Sequence, residues 1–141
     1  MNLKRLLLAI VVAFVFIFAT DFLIHVVWLK GDYAATKELW RPEAEMNARF
    51  PWMLMAQLLV AIAFVTLWAL GFARRGGAGL ACGYGLLVGL IGQATTIITY
   101  VVSPLPADIA LKWFTTGIVQ CVLLGLVVSL VYKPTSNRPL A

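Results

Sequence analysis

Four long apolar runs, each parted from the next by a short polar segment, organise this chain. They fall at Leu6–Leu29, Phe50–Phe72, Ala78–Val102 and Ala110–Tyr132 and hold 23 to 25 residues each. A helix rises about 1.5 Å per residue, so about 20 residues cross a hydrocarbon core about 30 Å thick. The pattern predicts an all-α fold: an integral membrane four-helix bundle forming a single domain over residues 1–141. The segment 30–49 is the one connection long enough to hold structure of its own. Proline suits the first position of a helix, so a short helix is predicted over Pro42–Arg49, with Glu43 and Glu45 near its positive end. A second is predicted over Tyr33–Trp40, and Leu39, Trp40, Met46 and Phe50 would lay both on the membrane surface or over the end of the bundle.

Composition closes the alternative of a soluble globule. The chain is 62% hydrophobic and 12% charged with a mean hydropathy of +0.95, whereas a soluble domain carries about a quarter charged residues. The basic Met1–Arg5 before the first run raises the question of a cleaved signal. That run is too long for one, and a cut after Ala19 would place the large Ile17 at the −3 position, so it reads as a retained span.

The net charge of +5 gains meaning when divided among the connections. Lys4, Arg5, Arg74, Arg75, Lys133 and Arg138 share one side with no acidic residue among them. On the other side Lys30, Lys37, Arg41 and Arg49 balance Asp32, Glu38, Glu43 and Glu45, and Lys112 balances Asp108. Basic residues gather on the cytoplasmic face, so the expectation is both termini inside, a multi-pass chain of the cell inner (cytoplasmic) membrane, and a periplasmic 30–49 loop. Positive charge split among three short segments is an orientation signal, which excludes a nucleic-acid partner. Trp28, Trp40, Trp52 and Trp113 near the outer boundary read as an interfacial belt, with Trp68 deeper.

Glycine shapes the third run, with the pairs Gly79/Gly83 and Gly85/Gly89, while the fourth carries Gly117, Cys121, Gly125 and Ser129 at four-residue steps. Small residues let helix backbones approach, so spans three and four are expected to pack closely, against each other or across a homodimer. The glycines lack the strand-to-helix setting of a phosphate loop. Cys82 and Cys121 differ in depth by roughly 15 Å by helix rise, too far for a disulfide, and no C-x-x-C pair occurs.

Candidate chemistry begins at Asp21, because a carboxylate inside a span is costly unless paired or hydrated. His25 follows at i, i+4 on the same helical face. Counted from Leu6 they lie about 23 Å and about 28 Å along the span, in its outer third. Other runs offer polar residues at similar depth: Gln57; Gln93, Thr96 and Tyr100 at i, i+3, i+7; and Thr116 and Gln120 at i, i+4 below Trp113. Polar groups in hydrocarbon need partners, so these are expected to turn inward as one ligand-binding or structural network open to the outer side.

Several chemistries fail on residue count. A single histidine excludes bis-histidine haem ligation within one chain and leaves only a haem shared by two subunits, Asp21 with His25 supplies two of the ligands zinc wants so that a metal would need Asp32, Glu43, Glu45 or a second chain, and Ser103, Ser129 and Ser136 sit in no nucleophile motif. No metal and no named cofactor follows. The leading expectation is a small non-enzymatic accessory subunit or binding protein with an outward-facing polar pocket around Asp21 and His25, taking a small-molecule or ion ligand. Rivals are an oligomeric transporter or channel, and a membrane enzyme using His25 as acid/base with Asp21 orienting it. The partners expected are the lipid bilayer and a homo-oligomer or larger membrane complex.

Overall fold

The computed structural model describes residues 2–133 and is helical throughout, with no strand among them. Arg138 and Ser136 of the sequence analysis lie outside the described residues. Helix α1 runs Leu3–Asp21 and continues in the wider π winding over Phe22–Trp28. Short α2 (Lys30–Ala35) and a 3₁₀ turn (Lys37–Leu39) follow. Helix α3 runs Glu43–Leu67 and continues in π winding over Trp68–Phe72, and α4 (Ala78–Val102) and α5 (Ala107–Val131) complete the chain. The four long helices are long and apolar enough to cross a membrane, and the chain is a multi-pass helical membrane protein.

Local signals set these boundaries. The Asn2 side chain accepts a hydrogen bond from the Arg5 amide at 3.1 Å and caps α1. Between α3 and α4 the chain reverses at Gly76 (φ 63) and Gly77 (φ 91), a backbone region that only glycine enters without penalty. Pro104 and Pro106 break the chain between α4 and α5, with Pro106 as the N-cap residue of α5.

Two expectations change. The separate helix predicted over Pro42–Arg49 is instead the first turns of α3, which passes through Pro51 without a break. Pro42 is the N-cap residue, with ψ 144, rather than the first helical position. The apolar run begins only at Phe50, so hydropathy alone could not see the polar turns that precede it. The predicted Tyr33–Trp40 helix is shifted and split into α2 and the 3₁₀ turn.

Helix α4 packs principally on α5, and α1 lies between α3 and α5. A Cβ on Gly85 would strike the backbone of Cys121 and Val122, and one on Gly125 would strike the Ala81 carbonyl. On Gly89 it would stand 3.1 Å from Cys121 Cβ and 3.2 Å from Ile118 Cα. Small side chains therefore set the α4–α5 distance, whereas a Cβ at Gly79 or Gly83 meets nothing within 4 Å. Both cysteines are free. The α3 side closes through aromatics: Tyr84 lies 4.7 Å from Phe64 and 5.0 Å from Phe72 by ring centroid, and its hydroxyl donates to the Phe64 carbonyl. Outward faces carry apolar side chains such as Leu70, Ile91, Val102 and Leu130, the surface that lipid requires.

The 30–42 connection folds back over one end of the bundle as a cap. Trp40 and Tyr33 pack on Leu105, Ile109 and Ala110 at the start of α5. Lys112 Nζ donates to both oxygens of Asp32 at 2.7 and 2.8 Å, pinning α2 to α5. At the opposite end Arg5 Nη1 donates to the Lys133 carbonyl at 3.1 Å, which ties the two ends of the described chain together.

Candidate functional site

Polar side chains from α1, α3, α4 and α5 meet below the cap. Asp21 stands where α1 changes winding, and its carboxylate is held from both sides. Gln57 Nε2 on α3 donates to Oδ2 at 2.6 Å and Gln120 Nε2 on α5 donates to Oδ1 at 2.7 Å. Gln120 Nε2 also donates to Thr20 Oγ1 at 2.6 Å, and the Thr20 hydroxyl donates to the Phe16 carbonyl at 2.7 Å. Carboxamide donors on both oxygens offset part of the cost of taking a carboxylate out of water. Gln57 is buried, and its Oε1 has no hydrogen-bond partner.

His25 makes a different set of contacts. It lies in the π-wound segment, and its Nδ1 stands 2.5 Å from the Tyr33 hydroxyl, which accepts from Trp113 Nε1 at 2.8 Å. An indole N–H can only donate, so the Tyr33 oxygen accepts from Trp113; it donates to Nδ1 where that nitrogen is unprotonated and accepts a second time where Nδ1 carries the proton. The His25 and Tyr33 rings are nearly parallel at 6.1 Å, and Trp40 meets Tyr33 edge-on at 5.2 Å. Trp40 Nε1 in turn donates to Thr36 Oγ1 at 2.9 Å. Burial pushes the Tyr33 phenol above its ordinary value of 10.0; the Trp113 hydrogen bond opposes this and the nearby Asp32 carboxylate adds to it.

Beside these contacts lies a partly open cavity of about 180 Å³ lined by Asp21, Ile24, His25, Gln93, Thr96, Trp113, Thr116, Gly117 and Gln120. Its polar walls come from three helices. The Thr116 hydroxyl donates to the Lys112 carbonyl at 2.6 Å, and Thr96 Oγ1 donates to Gln93 Oε1 at 2.7 Å. Gly117 is where the Gln93 carboxamide lies, in space that a Cβ would fill. Beyond Tyr33 and Trp113 a larger apolar groove of about 870 Å³ runs under the cap, bounded by Trp40, Pro42 and Met46.

No protein-family model, no curated protein and no solved structure matches this chain.

Six of the eight residues singled out in the sequence line this one cavity: Asp21, His25, Gln93, Thr96, Thr116 and Gln120. Gln57 joins through its bond to Asp21 from the α3 side. Tyr100 is half-exposed and belongs instead to a separate surface cavity beside Phe114 on the α4–α5 face. Asp21 and His25 share the cavity without a hydrogen bond between them, because each is engaged elsewhere. Sequence reasoning missed Tyr33 as the partner of His25, Thr20 as a support of Gln120, and the Asp32–Lys112 pin. Trp113 read as part of the interfacial belt, yet it lines the cavity, while Trp52 and Trp28 are the exposed rings. Among the described residues no group of three His, Cys, Asp or Glu side chains is placed to hold a metal ion.

Proposed function

We propose that the chain is a non-enzymatic binding protein of the inner membrane, acting alone or as an accessory subunit, with its capped polar cavity facing the outer side. The observation that carries this reading is the convergence of polar side chains from α1, α4 and α5 on one partly open cavity in a bundle that is otherwise apolar. Polar groups serving only as helix glue would pair directly and leave no room between them. The orientation draws its support from charge: Lys4, Arg5, Arg74, Arg75 and Lys133 lie at the end away from the cap, and the segment 30–49 is electrically balanced.

An acid/base role for His25 oriented by Asp21 has less support, because both Asp21 oxygens accept from carboxamides and His25 Nδ1 faces Tyr33. The oligomeric transporter reading asks for Gln93 and Gln120 on a symmetry axis, whereas both form hydrogen bonds within the chain.

The test is accessibility. In a Cys82→Ala/Cys121→Ala background, Thr116→Cys should react with a small membrane-impermeant thiol reagent added to the outer face, since Thr116 lines the cavity. A folded Thr116→Cys protein that stays unlabelled, or is labelled only from the cytoplasmic face, overturns the reading.

A further inference from the structure

We infer that the ligand of this cavity is a small organic cation of alkylammonium size, with the Asp21 carboxylate as its counter-ion. The inference rests on the binding-protein reading above and adds the ligand's chemistry to it.

Charge is the first argument. Asp21 lies within a membrane-spanning helix, and both of its oxygens are used as acceptors by neutral carboxamides. Among the described residues the ion pairs are Arg41–Glu45, Arg49–Glu45, Lys112–Asp32 and Lys112–Asp108, all at the cap or its edges. None reaches Asp21. Amide dipoles soften the burial of a carboxylate but do not neutralise it, and a charge in low dielectric is stabilised most by an opposite charge. His25 is the one side chain of the cavity able to supply it, and its Nδ1 is turned to Tyr33.

Hydrogen-bond polarity points the same way. The hydroxyl protons of Thr116 and Thr96 are spent on the Lys112 carbonyl and on Gln93 Oε1, so toward a guest both oxygens offer lone pairs. On the far side of the same carboxylate Gln57 Oε1 is a buried acceptor without a partner. Donors remain in the Gln93 Nε2 group and the His25 ring, so the Asp21 charge decides between guests. An ammonium group, with donors only and a positive charge, complements that carboxylate and the threonine lone pairs, whereas the carboxylate repels an anionic guest.

Size and walls narrow the class. A cavity of about 180 Å³ is larger than a bare ion fills and holds only a few non-hydrogen atoms, given a water's share of about 30 Å³. Ile24 and the Trp113 ring line it alongside the polar groups, which suits methylene groups attached to a cation.

The experiment titrates the purified full chain in detergent with ethylammonium, with its neutral isostere ethanol and with acetate, followed by calorimetry. Ethylammonium should bind saturably and the other two should not. Asp21→Asn should weaken ethylammonium about tenfold to a hundredfold, the range for losing a hydrogen bond to a charged group. Because Asp21→Asn also disturbs the carboxamide clamp, a second variant keeps the test open: Gln93→Lys places a tethered ammonium in the cavity and should abolish ethylammonium binding in a chain that circular dichroism shows still folded. Ethanol or acetate binding as tightly as ethylammonium overturns the cation inference, as does unchanged affinity in Asp21→Asn or a failure of ethylammonium to bind a chain whose Thr116→Cys is labelled. If Thr116→Cys cannot be labelled at all, the binding-protein reading itself fails.

Discussion

The hydroxyl of Tyr33 belongs to the cap yet makes its hydrogen bonds inside the bundle, to His25 and Trp113. Ionising it would place a negative oxygen in this part-buried cluster, near the Asp32 carboxylate. Its pKa in the folded chain lies above the ordinary 10.0, so the folded form holds the proton more tightly than the unfolded form does. The stability linked to it is therefore complete below pH 10.0 and declines as pH rises beyond that value. Phenolate absorbance of the wild type minus that of Tyr33→Phe should show a midpoint above 10.0, and Tyr33→Phe should lose the alkaline part of the stability decline; a midpoint at or below 10.0 contradicts the buried placement. At this scale the sequence was informative wherever a polar residue interrupted an apolar run. Asp21, Gln57, Gln93 and Gln120 could be singled out because hydrocarbon obliges such groups to find partners. Tyr33 gave no such signal, since a tyrosine in a polar loop is unremarkable until the loop folds back. Tyr100 misled because spacing reports a shared face and not height: seven residues on from Gln93 it lies about 10 Å further along α4, beyond the cavity.

Among the elements, α4 and α5 depend most on the absence of side-chain atoms. Helices in a bilayer gain little from burying apolar surface and associate through close contact, so the small residues at the α4–α5 seam decide its stability. Gly89→Leu and Gly125→Leu should each destabilise the bundle by about 2 kcal/mol or more, the range for forcing atoms into a packed interface. Gly83→Leu, on a face where a Cβ meets nothing within 4 Å, should stay within about 0.5 kcal/mol of the parent. Melting in detergent separates the two classes, and an equal loss in all three variants would refute the seam. The sequence showed that small residues were present and could not show which of the pairs was used, because Gly79/Gly83 and Gly85/Gly89 have the same spacing. Nor could it show the π winding of Phe22–Trp28 and Trp68–Phe72, which leaves apolar content unchanged. Span limits were legible to within a turn for α1, α4 and α5. They failed for α3, whose polar first turns lie outside any hydropathy window.

For the molecule as a whole, the apolar outer surface and the four long helices followed from hydropathy, which is a strong signal because a bilayer accepts few other arrangements. Beyond the α4–α5 pairing that the small residues signalled, which helix neighbours which was not legible, since contacts such as Gln120 to Asp21 or Lys112 to Asp32 join residues far apart in the chain. Reporter fusions should place the N-terminus, the Arg74–Arg75 turn and the C-terminus on the cytoplasmic side and the 30–42 cap outside, from the basic charge gathered at the former. A periplasmic signal at Arg74–Arg75 would invert the bundle and turn the cavity inward.

The division of helix contacts also bears on how the protein is made. Helix α1 packs on α3, α4 packs on α5, and these pairs meet largely through α1 and α5. Each pair is a hairpin of sequential spans, so each can enter the bilayer and close on itself while the rest of the chain is still being translated. The cavity belongs to neither hairpin: Asp21 and His25 come from the first, and Gln93, Thr116 and Gln120 from the second. On that order of closure the carboxylate would enter the membrane with Gln57 as its partner, and the lateral docking of the two hairpins, which brings Gln120, would be the step that creates the site.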